Sequence, residues 1–98
     1  MTIEKTKNGS ALTIALSGRL DTMTAPNLEA ELGDALEGVE ELMFDLEKLE
    51  YISSAGLRVL LSAQKTMNRQ GSMKVLHPNE IIREIFEVTG FSDILTIE

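Results

Sequence analysis

Two adjacent hydroxyl-bearing residues, Ser53 and Ser54, lie where an apolar segment gives way to the small residues Ala55 and Gly56. The segment before them has the character of a buried strand, and the segment after them has helical spacing. The first N–H groups of a helix lack intrahelical partners and carry partial positive charge, so a serine there can cap the helix. The same geometry can hold a phosphate group. Exposed serines at this junction therefore favour a phosphorylation switch over a catalytic pocket.

The serine pair belongs to a regular alternation of strands and helices. An Asn8-Gly9 pair predicts a tight hairpin turn between the first two strands. The run 41–46 is nearly continuous in apolar residues, as is typical of a strand buried on both faces. The predicted elements are, in order, strands over 2–7, 11–17, 41–46, 73–76 and 94–97, and helices that begin after Thr24, near Ala55 and at the Pro78-Asn79 pair.

This alternation implies right-handed crossovers and an α/β architecture. We expect a mixed, mostly parallel sheet of about five strands, with an N-terminal antiparallel hairpin and three to four helices. Function in such sheets gathers at the carboxyl ends of the strands. The loops expected there are 18–24, 47–54 and 77–79, and the serine pair makes the second of them the richest in chemical groups.

Composition narrows the class of protein. The chain has 98 residues, of which 43% are hydrophobic, and no cysteine, so disulfides and thiol chemistry are excluded and one small domain is expected. The net charge of −7 argues against nucleic acid, which needs clustered basic residues. The sequence contains no signal-peptide-like or membrane-spanning apolar stretch. These features predict a soluble cytoplasmic protein.

Two motifs carry a family resemblance. The stretch Phe44–Leu57, which reads FDLEKLEYISSAGL, resembles the signature of the STAS family of anti-sigma-factor antagonists. The earlier stretch Leu16–Thr22 resembles the Gly-x-Leu-Asp loop that precedes the first helix in the same family. The element order is similar over essentially the whole chain, which implies a single STAS-like layered domain over residues 1–98.

The resemblance implies a partner-switching function without an enzymatic activity or a cofactor. In such systems the unmodified antagonist binds an anti-sigma factor, which is also a serine kinase, and so frees the sigma factor. The kinase phosphorylates one serine at the start of the second helix, and a metal-dependent serine phosphatase removes the phosphate. By position the acceptor is Ser54, with Ser53 as the alternative, since the family usually has Asp at position 53. The implied partner-binding residues are Asp21, Thr22, Ser53, Ala55, Gly56 and Arg58.

Each of these residues also has a purely structural interpretation. Ser54 could serve only as a helix cap, and Ser53 and Asp21 could be turn residues that bond their own backbone. Arg58, one turn after Ser54, could face an attached phosphate or a partner, or could be an exposed helix cation. Gly56 could be required only for close helix packing.

Other classes of function fit less well. His77 has no second His or Cys at metal-ligand spacing, so no metal site is expected, and no glycine-rich phosphate loop is present. A phospho-aspartate receiver with Asp45 as acceptor would need an acidic pair after the first strand, which is missing. A STAS-like scaffold that is never phosphorylated remains an alternative. An enzyme is disfavoured because no nucleophile–base pair is visible.

Overall fold

A computed structural model describes all residues from Met1 to Glu98. Four strands form one sheet in the order β1-β2-β3-β4, with β1 and β2 antiparallel and the other neighbours parallel. The elements are β1 (Thr2–Asn8), β2 (Ala11–Leu20), α1 (Ala25–Ala35), β3 (Glu41–Ile52), α2 (Ser54–Gln70), β4 (Ser72–Leu76), α3 (Glu80–Thr89) and a 3-10 turn (Phe91–Asp93). The predicted α/β class and the N-terminal hairpin are confirmed.

The hydrophobic core lies on one face of the sheet. Alternate residues of β2 are fully buried, namely Leu12, Ile14 and Leu16, while the residues between them are half-buried. The crossovers from β2 to β3 and from β3 to β4 run in the same direction, so their right-handedness places α1 and α2 on the same face. The prediction that β3 is buried on both faces was wrong, because Met43 and Asp45 are only half-buried on the opposite, open face.

Strand β3 is longer than the sequence suggested. It continues to Ile52, and β2 continues to Leu20, so most of the predicted loop 47–54 and the start of the predicted loop 18–24 are strand. The pairing register shifts between Asp45 and Lys48, where β3 gains one residue on β2. Such a bulge bends a strand and re-aims its side chains. The apolar pattern was obscured there because the two core-facing leucines, Leu46 and Leu49, are three residues apart.

The last predicted strand, 94–97, does not form. The chain instead makes a 3-10 turn at Phe91–Asp93 and then a single parallel bridge between Ile97 and Val75. Gly90 ends α3 in the left-handed conformation, and Asn79 caps its start by accepting a hydrogen bond from the Ile82 backbone N–H. None of the helices is both long and apolar enough to cross a lipid bilayer.

Candidate functional site

The start of α2 is fixed by Ser53. Its backbone N–H donates to the Leu20 carbonyl (2.9 Å), which ties the end of β3 to the end of β2. Its side-chain oxygen accepts a hydrogen bond from the Gly56 backbone N–H (3.5 Å), and its extended backbone turns the chain into the helix. Ser53 is therefore the N-cap of α2, and its hydroxyl is engaged in the fold.

Ser54 is the first residue of α2, and its side chain is exposed. The sequence left open whether Ser54 serves only as a cap; the structure gives the cap to Ser53 instead. The backbone N–H groups of Ser54 and Ala55 lie in the first turn, where no carbonyl four residues earlier can receive them. The Ser54 hydroxyl thus stands in solvent beside free donors at the positive end of the helix dipole.

Gly56 brings this helix end close to the sheet. A β-carbon at position 56 would lie 2.7 Å from the Leu20 side chain, 2.8 Å from that of Ile52 and 2.9 Å from the Leu20 carbonyl oxygen. Contacts this short are not tolerated, so only glycine fits without movement. Gly56 was expected among the partner-binding residues, but it is buried. This close approach supports the packing interpretation of Gly56, which brings Ser53 and Ser54 against the sheet.

Asp21 organises the neighbouring loop between β2 and α1. Its Oδ1 accepts hydrogen bonds from the backbone N–H groups of Met23 (3.0 Å) and Thr24 (3.2 Å). The Thr24 hydroxyl completes the turn by donating to the Arg19 carbonyl (2.8 Å) and accepting from the Asp21 N–H (2.8 Å). Desolvation raises the pKa of the Asp21 carboxyl, but the hydrogen bonds from Thr24 and Met23, together with the Arg19 side chain, outweigh it and the pKa is lowered. The turn interpretation of Asp21 is thus supported.

Two residues that the sequence analysis did not select form a pair, and one of them, Arg19, lies beside Asp21. The Arg19 guanidinium lies 4.6 Å from the centre of the Tyr51 ring, and its Nε is 3.6 Å from Asp21 Oδ2. Stacking on the ring and pairing with the carboxylate both restrict this cation. Little in the sequence indicates that these two residues are neighbours, since the pairing of Arg19 with Tyr51 depends on the register shift in β3.

A shallow groove of about 250 Å³ runs between the starts of α1 and α2. Three predicted partner-binding residues line it, namely Thr22, Ala55 and Arg58, together with Ala25, Pro26, Glu29 and Val59. Met23, which directly follows Thr22 in the chain, is 83% exposed, which is unusual for an apolar side chain. The surface next to Ser54 therefore combines apolar area, small residues and a cation, as protein-binding surfaces do.

The histidine of the chain has a polar contact of its own. The chain has one histidine, His77, and its ring contacts Asp45 rather than either serine. The sequence offers no second His or Cys as a neighbour for His77, but the carboxylates of Asp45 and Glu47 of β3 lie beside it. The linear spacing could not show this juxtaposition, since it depends on parallel pairing of β3 with β4.

The site thus combines an exposed serine, at the start of a helix that the preceding serine caps, with an adjacent groove on an α/β domain. The profile of the STAS domain family matches residues 2–98, and the chain belongs to this family. It is 35% identical to the BtrV protein of Bordetella bronchiseptica, with 99% of this chain and 85% of the relative covered. It is 28% identical to the anti-sigma-B factor antagonist of Bacillus subtilis strain 168, over 97% of this chain and 88% of the relative. Among solved structures, the phosphorylated form of the Bacillus cell fate determinant SpoIIAA is similar, with a TM-score of 0.77, 19% identity, and coverage of 99% and 91% of the two chains.

Proposed function

We propose that this protein is an anti-sigma factor antagonist whose binding to an anti-sigma factor kinase is switched off by phosphorylation of Ser54. The Bacillus subtilis relative carries that antagonist function in its name, and a protein of similar fold exists in a phosphorylated form. The observation that carries the proposal in this chain is the division of labour at the helix start. Ser53 caps α2, while Ser54 is exposed and free for modification.

A phosphate on Ser54 is compatible with the fold. It adds about −1.5 to −2 charges at neutral pH. The first-turn N–H groups and the helix dipole favour negative charge at this position. The cap bond, which the Gly56 N–H donates to Ser53 Oγ, does not involve the Ser54 side chain. The domain can therefore keep its structure in both states.

The same phosphate opposes binding. A partner that covers Ser54 must either desolvate the dianion or bring its own polar groups close to it, which costs several kcal/mol unless the charge is paired. A loss of roughly 3 to 4 kcal/mol lowers affinity about 100- to 1,000-fold. The proposed switch is thus a local steric and electrostatic block rather than a change of conformation.

The proposed docking surface surrounds Ser54. It consists of the Asp21 loop with Thr22, the cap residue Ser53, and the first turns of α2 with Ala55 and Arg58. A metal-dependent serine phosphatase would restore the binding form by removing the phosphate. The chain itself catalyses no reaction in this scheme, and we place it in the cytoplasm with its kinase partner.

The test is phosphorylation by the cognate anti-sigma factor kinase and ATP, followed by intact mass measurement and binding. Wild type and Ser53→Ala should each gain one phosphate, whereas Ser54→Ala should gain none. Ser54→Asp should remain folded but bind the kinase far more weakly than Ser54→Ala. Phosphate on Ser54→Ala would move the acceptor to another residue. If wild-type protein gains no phosphate after incubation with the kinase and ATP but still binds the kinase, the alternative of a STAS scaffold that is never phosphorylated would be favoured.

A further inference from the structure

A second chemical cluster lies on the open face of the sheet, away from Ser54. Asp45 and Glu47 are alternate residues of β3, and His77 follows the last residue of β4 directly. Asp45 is paired in register with Leu76, so parallel pairing brings His77 next to both carboxylates. One ligand atom from each of the three residues lies within 4.8 Å of the other two. The distance from His77 Nδ1 to Asp45 Oδ1 is 3.2 Å.

The two carboxylates lack the cations that usually neutralise such groups. The ion pairs of the protein give Asp45 only the His77 ring as a partner, and none of them involves Glu47. The chain also carries a net charge of −7. Two neighbouring carboxylates repel each other, and a bound dication relieves this repulsion directly.

The imidazole distinguishes this cluster from an ordinary acidic patch. Its side chain is 61% exposed, so an ion can reach it from solvent. The His77 backbone N–H donates to the Glu98 carbonyl (3.2 Å), which holds the residue at the end of β4. Imidazole nitrogen and carboxylate oxygen are both ligand types that zinc accepts, and zinc sites with three protein ligands hold solvent in the fourth position. Magnesium and calcium prefer oxygen ligands alone.

We propose that Asp45, Glu47 and His77 bind a divalent transition metal ion of the zinc type. The donors are already within 4.8 Å of one another, so movements of the order of one ångström, within side-chain rotamer freedom, bring them to the distances of about 2.0–2.2 Å that zinc requires. The site is independent of Ser54 phosphorylation. It would pin the β3 bulge to the end of β4 and so add a cross-link between two neighbouring strands.

The test uses the fact that His77 is the only histidine of the chain. Tag-free protein is titrated with zinc chloride, and separately with magnesium chloride, by isothermal titration calorimetry. We expect saturable binding of one zinc ion and no comparable binding of magnesium. The variants are His77→Asn and Asp45→Asn, with Glu87→Gln on the exposed side of α3 as the matched control. Asparagine suits position 77 because it tolerates the left-handed backbone found there, where φ is 57°.

Each ligand variant should weaken zinc binding at least about tenfold, which corresponds to ~1.4 kcal/mol, whereas Glu87→Gln should bind as wild type does. A second measurement uses only wild-type protein, so it does not depend on whether a variant folds. Paramagnetic cobalt is added in steps, and it should broaden the NMR signals of residues 45–47 and 77 before those of the start of α2. The proposal is overturned if zinc does not bind, if His77→Asn binds it as well as wild type, or if cobalt broadening centres elsewhere.

Discussion

Ser53 and Ser54 should have separable roles, and a pair of alanine variants can show it. Ser53→Ala removes the side-chain oxygen that accepts from the Gly56 N–H, whereas Ser54→Ala removes an exposed hydroxyl from the first helical position. Loss of a serine cap costs about 0.5–2 kcal/mol. The cap bond here is 3.5 Å long, well beyond the ~2.9–3.0 Å of a strong N–H···O bond. We therefore expect a loss from the lower half of that range, about 0.5–1 kcal/mol.

The assay is urea denaturation followed by circular dichroism, with thermal unfolding as a second readout. A loss of this size lowers the melting temperature of a domain of this length by about 2–8 °C. Ser54→Ala should unfold at the same urea concentration as wild type, or slightly higher, since alanine has the better helix propensity. Ser53→Asp should retain wild-type stability, because aspartate is an equally good cap.

In the kinase assay the order of the two variants should reverse. Ser53→Ala, although less stable, should still accept phosphate, and Ser54→Ala should not. The assignment of roles is refuted if Ser54→Ala is destabilised as much as Ser53→Ala, or if Ser53→Ala unfolds as wild type does. Either result would mean that the cap is not where the structure places it.

Three further changes test the surroundings of the site. Gly56→Ala should lower the free energy of unfolding by about 1–3 kcal/mol, because its β-carbon would meet Leu20 at 2.7–2.9 Å; the matched control Gly33→Ala, where a β-carbon meets nothing within 4 Å, should instead gain about 0.5–1 kcal/mol in chemical denaturation. Asp21→Asn should be less stable than wild type at pH 7. The pKa of Asp21 is lowered in the folded protein, so the stability advantage of wild type is complete above the ordinary aspartate pKa of about 4 and is lost as pH falls through the folded pKa. The urea midpoints of the two proteins should therefore converge in acid. A difference in midpoint that does not depend on pH would contradict this. Gln64→Met should raise stability by about 1 kcal/mol in the same assay, since burying the unpartnered Gln64 Oε1 costs more than the hydrogen bond from Gln64 Nε2 to Asn68 Oδ1 contributes; a loss of stability would refute that balance.

The fold could be predicted where periodicity and turn chemistry agree. The N-terminal hairpin, the alternation in β2 and the start of the third helix depend on local signals, and the structure has all three, although the two-residue hairpin loop is Gly9-Ser10 rather than Asn8-Gly9. The extent of β3 could not be predicted, because its bulge moves Leu49 out of simple alternation. The prediction of a C-terminal strand was wrong for a different reason. Its residues 94–97 have strand propensity, but only Ile97 reaches the edge of β4.

The candidate site was predicted in place but not in detail. The serine pair and the Asp21 loop were found from motifs. Which of the two serines caps the helix depends on whether α2 begins at residue 54 or 55, and sequence patterns do not fix a helix boundary that closely. The neighbours of a site that come from other strands are beyond linear reasoning. Arg19 reaches Tyr51 only through the register of β2 on β3, and His77 reaches Asp45 only through that of β3 on β4.

The serine at position 53, where the family resemblance leads one to expect aspartate, now has a physical explanation. Both residues present a side-chain oxygen to the N–H groups of the first helical turn, so the exchange keeps the cap that orients Ser54. What changes is charge: aspartate would place a carboxylate next to the phosphorylated residue, and serine does not. The first turn of α2 contains no acidic residue at all. A phosphate on Ser54 would therefore be the first negative charge within this helical turn, added to the carboxylates of Asp21 and Glu29 on the neighbouring loop and helix.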